Sequence, residues 1–235
     1  MLLLLPGLIC DARIFARQLD AFADAKAVDG YGTAGSFEAM ARIALDQADK
    51  EQPGARFDLL GHSMGARVAL EVYRLAPERV RRIALVSTGA HPVGEQEPAK
   101  RGGLQRVGHE RGFDALLDLW LPPMIGEPNR DKPEIAGPLR EMCRSRGQDV
   151  FDAQIKALLG RGDQRLVLPT ISCPALVMTG ELDSWSPPAQ HEQIAAMIPN
   201  SQLVVVPGAG HMLPVEAPDA MNAAISRWRA APAND

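Results

Sequence analysis

The chain has 235 residues, 46% of them hydrophobic, and a formal net charge of -4. A chain of this length buries about three quarters of its unfolded surface, so it needs no staple of disulfides or metals. The mild negative charge speaks against a nucleic-acid binder and gives no reason to expect an anionic membrane partner.

Residues 2–5, all leucine, form an apolar run with the length of a buried strand. With Met1 the run looks superficially like a leader peptide. It lacks a basic region before it, is too short, and meets Pro6-Gly7 at once, so a first strand is the expectation. No stretch approaches the length of a membrane span, and membrane insertion is not expected. Residues 6–11 read as a loop. Residues 12–23 read as a helix with Ile14, Phe15, Leu19 and Phe22 on its apolar face, and residues 26–28 as a short strand. A glycine-rich loop follows, and Ser36 caps a helix running to about residue 50. In that loop Gly30-x-Gly32-x-x-Gly35 spells a dinucleotide fingerprint. A true fingerprint needs an acidic residue at the end of the next strand, to take the ribose hydroxyl. That strand runs into Gly61-His62, so the loop reads as an ordinary βα turn.

Residues 57–60 are the next strand. From Ala66 the periodicity becomes helical, with Val68, Val72 and Leu75. Between strand and helix lies Gly61-His62-Ser63-Met64-Gly65. A strand that turns at once into a helix forces its middle residue into a strained backbone and sets that side chain on the outside of the bend. Glycines two residues either side avoid the Cβ collisions such a bend creates. Ser63 is therefore exposed above the sheet, with the N–H groups of a helix start beside it. Residues 80–87 form another strand. The β-α alternation to this point implies a parallel sheet covered on both faces.

The rhythm then stops. Residues 89–167 show no strand pattern and three helical ones, marked by Phe113, Leu116, Leu117 and Trp120, by Ile135, Leu139 and Met142, and by Phe151, Ile155, Leu158 and Leu159. This reads as a helical cap inserted into a core made of residues 1–88 and 168–235. Alternation resumes with strands at 175–179 and 202–206 and helices at 187–198 and about 217–229.

A serine hydroxyl needs a base to take its proton. Of five histidines, His62 is expected to point away from the Ser63 face, His91 to line a pocket at most, and His109 and His191 to sit solvated in helices. His211 follows the last strand in Pro207-Gly208-Ala209-Gly210-His211, at the carboxyl edge where open α/β sheets bind ligands. It is the expected base. Asp183, after the strand at 175–179 and at the same edge, is the expected partner of the imidazole, ahead of Glu181; Asp163 falls in the insertion. The backbone N–H groups of Met64 and Leu8 are the expected oxyanion donors, since Pro6 has none and Gly7 leaves room for substrate.

With these motifs the chain resembles the α/β-hydrolase fold family over nearly its whole length. The serine elbow, Gly180-Glu181-Leu182-Asp183 and Gly208-Ala209-Gly210-His211 carry the likeness. Within the family it is similar to small carboxylesterases, including those that demethylate a pimeloyl-carrier-protein ester, and to enol-lactonase-like hydrolases. The resemblance implies a mostly parallel sheet of about six strands, without the family's two opening antiparallel strands, under a helical cap. It also implies ester hydrolysis by Ser63, His211 and Asp183 with no metal or cofactor. Pro6-Gly7 stands where the family usually has His-Gly. Acyl transfer or perhydrolysis on the same residues, or a ligand-binding protein that lost the chemistry, are the alternatives.

Trp120, Leu121, Met124 and Trp185 are candidates for the apolar lining of a pocket for a small-molecule ester, or equally for the core of the cap. Arg140, Arg144 and Arg146 cluster on a cap helix and offer a dock for an acidic acyl carrier protein. Against that, residues 89–168 hold twelve basic and twelve acidic side chains, which leaves the cap no net field. Cys10, Cys143 and Cys173 are scattered without metal-ligand spacing and read as reduced thiols of a cytoplasmic protein.

Overall fold

The computed structural model describes residues 1–232. Six strands, β1 (Leu2–Leu5), β2 (Ala25–Ala27), β3 (Phe57–His62), β4 (Val80–Val86), β5 (Ala175–Gly180) and β6 (Ser201–Val206), form one sheet in the order β2-β1-β3-β4-β5-β6. Every pairing is parallel. The central strands are apolar almost throughout because both of their faces are covered; Leu2, Leu3, Leu4 and Leu5 are each fully buried. α1 (Ala16–Ala21) packs with the C-terminal α10 (Pro218–Ala230), and α2 (Phe37–Glu51) packs with α3 (Met64–Leu75). The chain leaves β1 toward β2 and returns across it to β3, so the winding reverses between the neighbours β1 and β3. Such a reversal is where open α/β sheets place their ligand sites, at the carboxyl ends of the strands.

Between β4 and β5 lie α4 (Glu97–Arg111), α5 (Phe113–Trp120), α6 (Pro133–Arg146) and α7 (Gln148–Leu159), with no strand. The first of these was not anticipated. α4 has few apolar residues, mainly Leu104 and Val107, and carries Gly102, Gly103 and Gly108, so it shows no apolar stripe. The helix expected over residues 12–23 is instead a 3-10 turn, Ala12–Phe15, capped by the Asp11 carboxylate on the Arg13 N–H, followed by the shorter α1. α8 (Pro188–Met197) carries His191, which is fully buried rather than solvated. A short α9 (Leu213–Glu216) precedes α10.

Candidate active site

Ser63 joins β3 to α3 with φ 56° and ψ -119°, a conformation that L-residues avoid. The bend survives because of its glycines. A Cβ on Gly61 would lie 2.3 Å from the Gly65 carbonyl oxygen, and one on Gly65 would lie 2.1 Å from the Leu5 carbonyl oxygen. The elbow is thus jammed against the end of β1, and only hydrogen atoms fit at these two positions. The Ser63 N–H donates to Val86 O at 2.8 Å and its carbonyl accepts from Thr88 Oγ1 at 2.9 Å, which fastens the bend to β4.

Three expected residues, distant in sequence, meet here. Ser63 Oγ is 2.8 Å from His211 Nε2, and His211 Nδ1 lies 2.9 and 3.1 Å from the two Asp183 oxygens. A carboxylate accepts, so Nδ1 carries the ring proton and Nε2 accepts from the serine hydroxyl. Asp183 Oδ1 also accepts from the Trp185 and Ser186 N–H groups at 3.0 and 2.8 Å. Burial pushes the Asp183 carboxyl up, but the charge and hydrogen bond of His211 and the Ser186 N–H hold it below the ordinary aspartate value. It is an anion at neutral pH. Glu181, the second choice, accepts from the Gly208 N–H instead.

The Leu8 and Met64 N–H groups donate to nothing among the described residues, and both residues line the cavity around Ser63. The loop that carries Leu8 is held by Gln154 on α7, whose Oε1 accepts from the Ile9 N–H at 2.7 Å; Ile9 itself has φ 47°. That cavity has a volume of about 540 Å³. Trp120, Met124 and Trp185 line it. Leu121 does not; it is packed in the hydrophobic core, because successive residues at a helix end point about 100° apart and Trp120 takes the cavity face.

The other histidines sort by burial. His62 Nε2 donates to the carbonyl oxygen of His211 at 2.8 Å, so it steadies the histidine loop from beneath and makes no bond to Ser63 Oγ. Burial, then the neighbouring His211, depresses its pKa to about 3, and it is neutral. His191 Nε2 accepts from the Thr88 N–H at 2.9 Å, with its pKa lowered by burial to about 4. His91 lines the cavity and accepts from Gln190 Nε2 at 2.8 Å. His109, exposed, pairs with Asp152.

Glu216 was not singled out in the sequence. Its Oε2 accepts from the Gly126, Gly210 and Asn129 N–H groups at 2.8, 2.9 and 3.0 Å, and Oε1 from the Met212 N–H at 3.0 Å. It ties the loop bearing His211 to the segment before α6. The arginines of α6 face acids: Arg140 meets Asp114 and Asp118, Arg144 meets Asp114, and Arg146 meets the buried Asp11. Among the described residues no group of three or more His, Cys, Asp or Glu could hold a metal ion, and no helix is long and apolar enough to cross a membrane.

Comparison with known proteins gives a family match, to the alpha/beta hydrolase family, over residues 2–224. A thermophilic esterase from Thermogutta terrifontis, with malate bound, superposes at TM-score 0.90 and 28% identity, covering 97% of this chain and 88% of that one. The enol-lactonase of Burkholderia xenovorans superposes at TM-score 0.86 and 22% identity over 98% of this chain and 91% of that one, a likeness of fold. A pimeloyl-[acyl-carrier protein] methyl ester esterase of Neisseria meningitidis is 31% identical over 166 residues, 66% of this chain and 51% of that protein. The first curated relatives are longer than this chain, which spans between 8% and 64% of their length.

Proposed function

The chain belongs to the alpha/beta hydrolase family, and from that membership we propose that it hydrolyses carboxylic esters through an acyl-enzyme on Ser63. The observation that carries this reading is the 2.8 Å contact of Ser63 Oγ with an imidazole whose other nitrogen faces a buried carboxylate. In this mechanism His211 Nε2 takes the hydroxyl proton as Oγ attacks the ester carbonyl. Asp183 keeps the tautomer and stabilises the imidazolium. The developing oxyanion takes the Leu8 and Met64 N–H groups, which have no other use. His211 returns the proton to the leaving alcohol, and a water deacylates the serine by the same path. All the groups this chemistry needs are side chains and amides, so it calls for no cofactor.

The four helices between β4 and β5 serve as a cap that shapes the acyl and alcohol sites. A free small-molecule ester is the substrate we favour over a carrier-linked one, because the α6 arginines are spent on Asp114, Asp118 and Asp11. Its three buried free cysteines fit a reducing compartment such as the cytoplasm. The test is Ser63→Ala on a short p-nitrophenyl ester. The expected loss is at least ~10³-fold in kcat/KM, together with loss of labelling by a fluorophosphonate. Near-normal turnover by that variant rules the mechanism out.

A further inference from the structure

The wall of the cavity above Ser63 carries a charge opposite to that of the chain. Arg67, Lys100, Arg101 and Arg161 line it, with Glu97 as the single carboxylate, in a chain of net charge -4. These cations are not equivalent. Arg161 grips Glu97 with both terminal nitrogens, at 2.5 and 2.8 Å, and donates its remaining hydrogens to the carbonyls of His91, Leu158 and Pro92. Arg101 Nε donates to the same carboxylate at 2.7 Å. Although burial pushes Glu97 up, the two guanidiniums bring its pKa down to about 2. Its charge is spent on them.

Arg67 is left over. It sits one turn into α3 beyond Ser63, about 6 Å along the helix axis, and is only 5% exposed. Its Nη1 donates to His91 O at 3.1 Å and to Gln164 Oε1 at 3.2 Å, while Gln164 Nε2 donates back to the Arg67 carbonyl at 2.8 Å. The guanidinium is therefore fixed in place. Its Nε and Nη2 groups donate to nothing among the described residues, and no carboxylate pairs with it, yet these atoms are not sealed away from the cavity. Burial, then Arg161, lowers its pKa to about 9, so it is still a cation at neutral pH. Glu97 acts on it only at a distance; a buried guanidinium with no carboxylate bonded to it is costly, and part of the cost is recovered when an anion enters. The free Nε–Nη2 edge presents two donors side by side, which matches the two oxygens of a carboxylate. The same cavity is also lined by the apolar side chains of Leu104, Trp120, Met124 and Leu158, which suit a short methylene spacer.

We propose that the ester taken at Ser63 carries a second, unreacting carboxylate, and that Arg67 binds it through Nε and Nη2. This rests on the ester-hydrolase reading for its substrate and deepens it. Atoms of the scissile group are untouched; the carboxylate only orients the molecule.

The experiment measures binding without turnover, in a Ser63→Ala background, by titration calorimetry at low salt. The three ligands are monomethyl glutarate, with the carboxylate on the acyl side, acetoxyacetate, with it on the alcohol side, and neutral methyl butyrate. One charged ester is expected to bind at least tenfold more tightly than methyl butyrate, and which one does so assigns the side. Adding Arg67→Met is expected to cut that preference by about 10- to 100-fold. Arg67→Lys, which keeps the charge and loses the fork, is expected to cut it several-fold, and circular dichroism checks that each variant is folded. If Arg67→Met does not fold, Arg67→Lys decides alone. Equal or weaker binding of both charged esters, or a preference that survives in the folded Arg67 variants, overturns the proposal. Such a failure leaves Ser63 hydrolysis of neutral esters standing. A wild-type protein that binds the charged esters through Arg67 but hydrolyses none of the three sinks the ester-hydrolase reading and keeps the anion site.

Discussion

Replacing Glu216 by glutamine tests whether one carboxylate outside the Ser63, His211 and Asp183 trio sets its geometry. Four N–H groups converge on it, three on Oε2 and one on Oε1. Glutamine has one acceptor oxygen. In its better orientation that oxygen faces Gly126, Asn129 and Gly210, and the NH₂ group then confronts the Met212 N–H. One bond to a charged acceptor is lost, worth about 1.5–3 kcal/mol, and three others fall to roughly half strength. Discounting for the partial exposure of the side chain leaves about 3 kcal/mol. At 2–4 °C per kcal/mol for a chain of this size, Tm should drop by roughly 6–12 °C. The loosened segment includes His211, whose N–H shares the Met124 carbonyl with that of Met212. Because a shift of an ångström in a catalytic group costs on the order of 100-fold, kcat on p-nitrophenyl butyrate should fall at least tenfold. Thermal denaturation by circular dichroism and steady-state kinetics read the two effects. A variant with Tm within 2 °C and kcat within twofold of wild type would show that Glu216 does not hold the loop.

Gly61→Ala must displace the backbone of Gly65 and Ala66, which lie 2.3 to 2.5 Å from the added Cβ. It should cost about 3 kcal/mol or more and abolish activity. Gly103→Ala, inside α4 and with nothing within 4 Å of its Cβ, should raise stability by about 1 kcal/mol. Urea titrations of both variants check the contrast, and equal effects would discredit the steric account of the elbow. A third expectation concerns acid. His191 has its folded pKa lowered to about 4 by burial, so below the unfolded value near 6.5 the unfolded chain binds a proton that the folded chain refuses. Stability therefore falls as pH drops from 6.5 toward 4, and His62, lowered to about 3, adds to the slope. His191→Gln keeps an acceptor for the Thr88 N–H and should reduce that slope by about one proton, roughly 1.4 kcal/mol per pH unit. An unchanged slope in denaturation at pH 7, 6, 5 and 4.5 would remove His191 from the account.

What the residues determine by themselves is local in origin. A strand, a Gly-x-Ser-x-Gly bend and a helix announce themselves within twenty residues, because steric demands at Gly61, Ser63 and Gly65 act between neighbours in the chain. Strand ends followed by loops mark Asp183 and His211 in the same way, since parallel strands carry all their carboxyl ends to one edge. α4 escaped notice because its helix is held by packing on α5 and α7 rather than by an apolar stripe of its own.

Tertiary structure alone decided which charges face which way. Residues 89–168 hold as many acids as bases, and a count of them predicts no field. Folding sorts them: Arg140 and Arg144 turn to Asp114 and Asp118 at the surface, while Arg101 and Arg161 turn inward on Glu97. The burial of His191, the grip of Gln154 on Ile9 and the four donors on Glu216 belong to the same class. Each joins groups far apart in the sequence, and a contact of that kind has no periodicity; it exists only once the sheet and helices have set the two ends side by side.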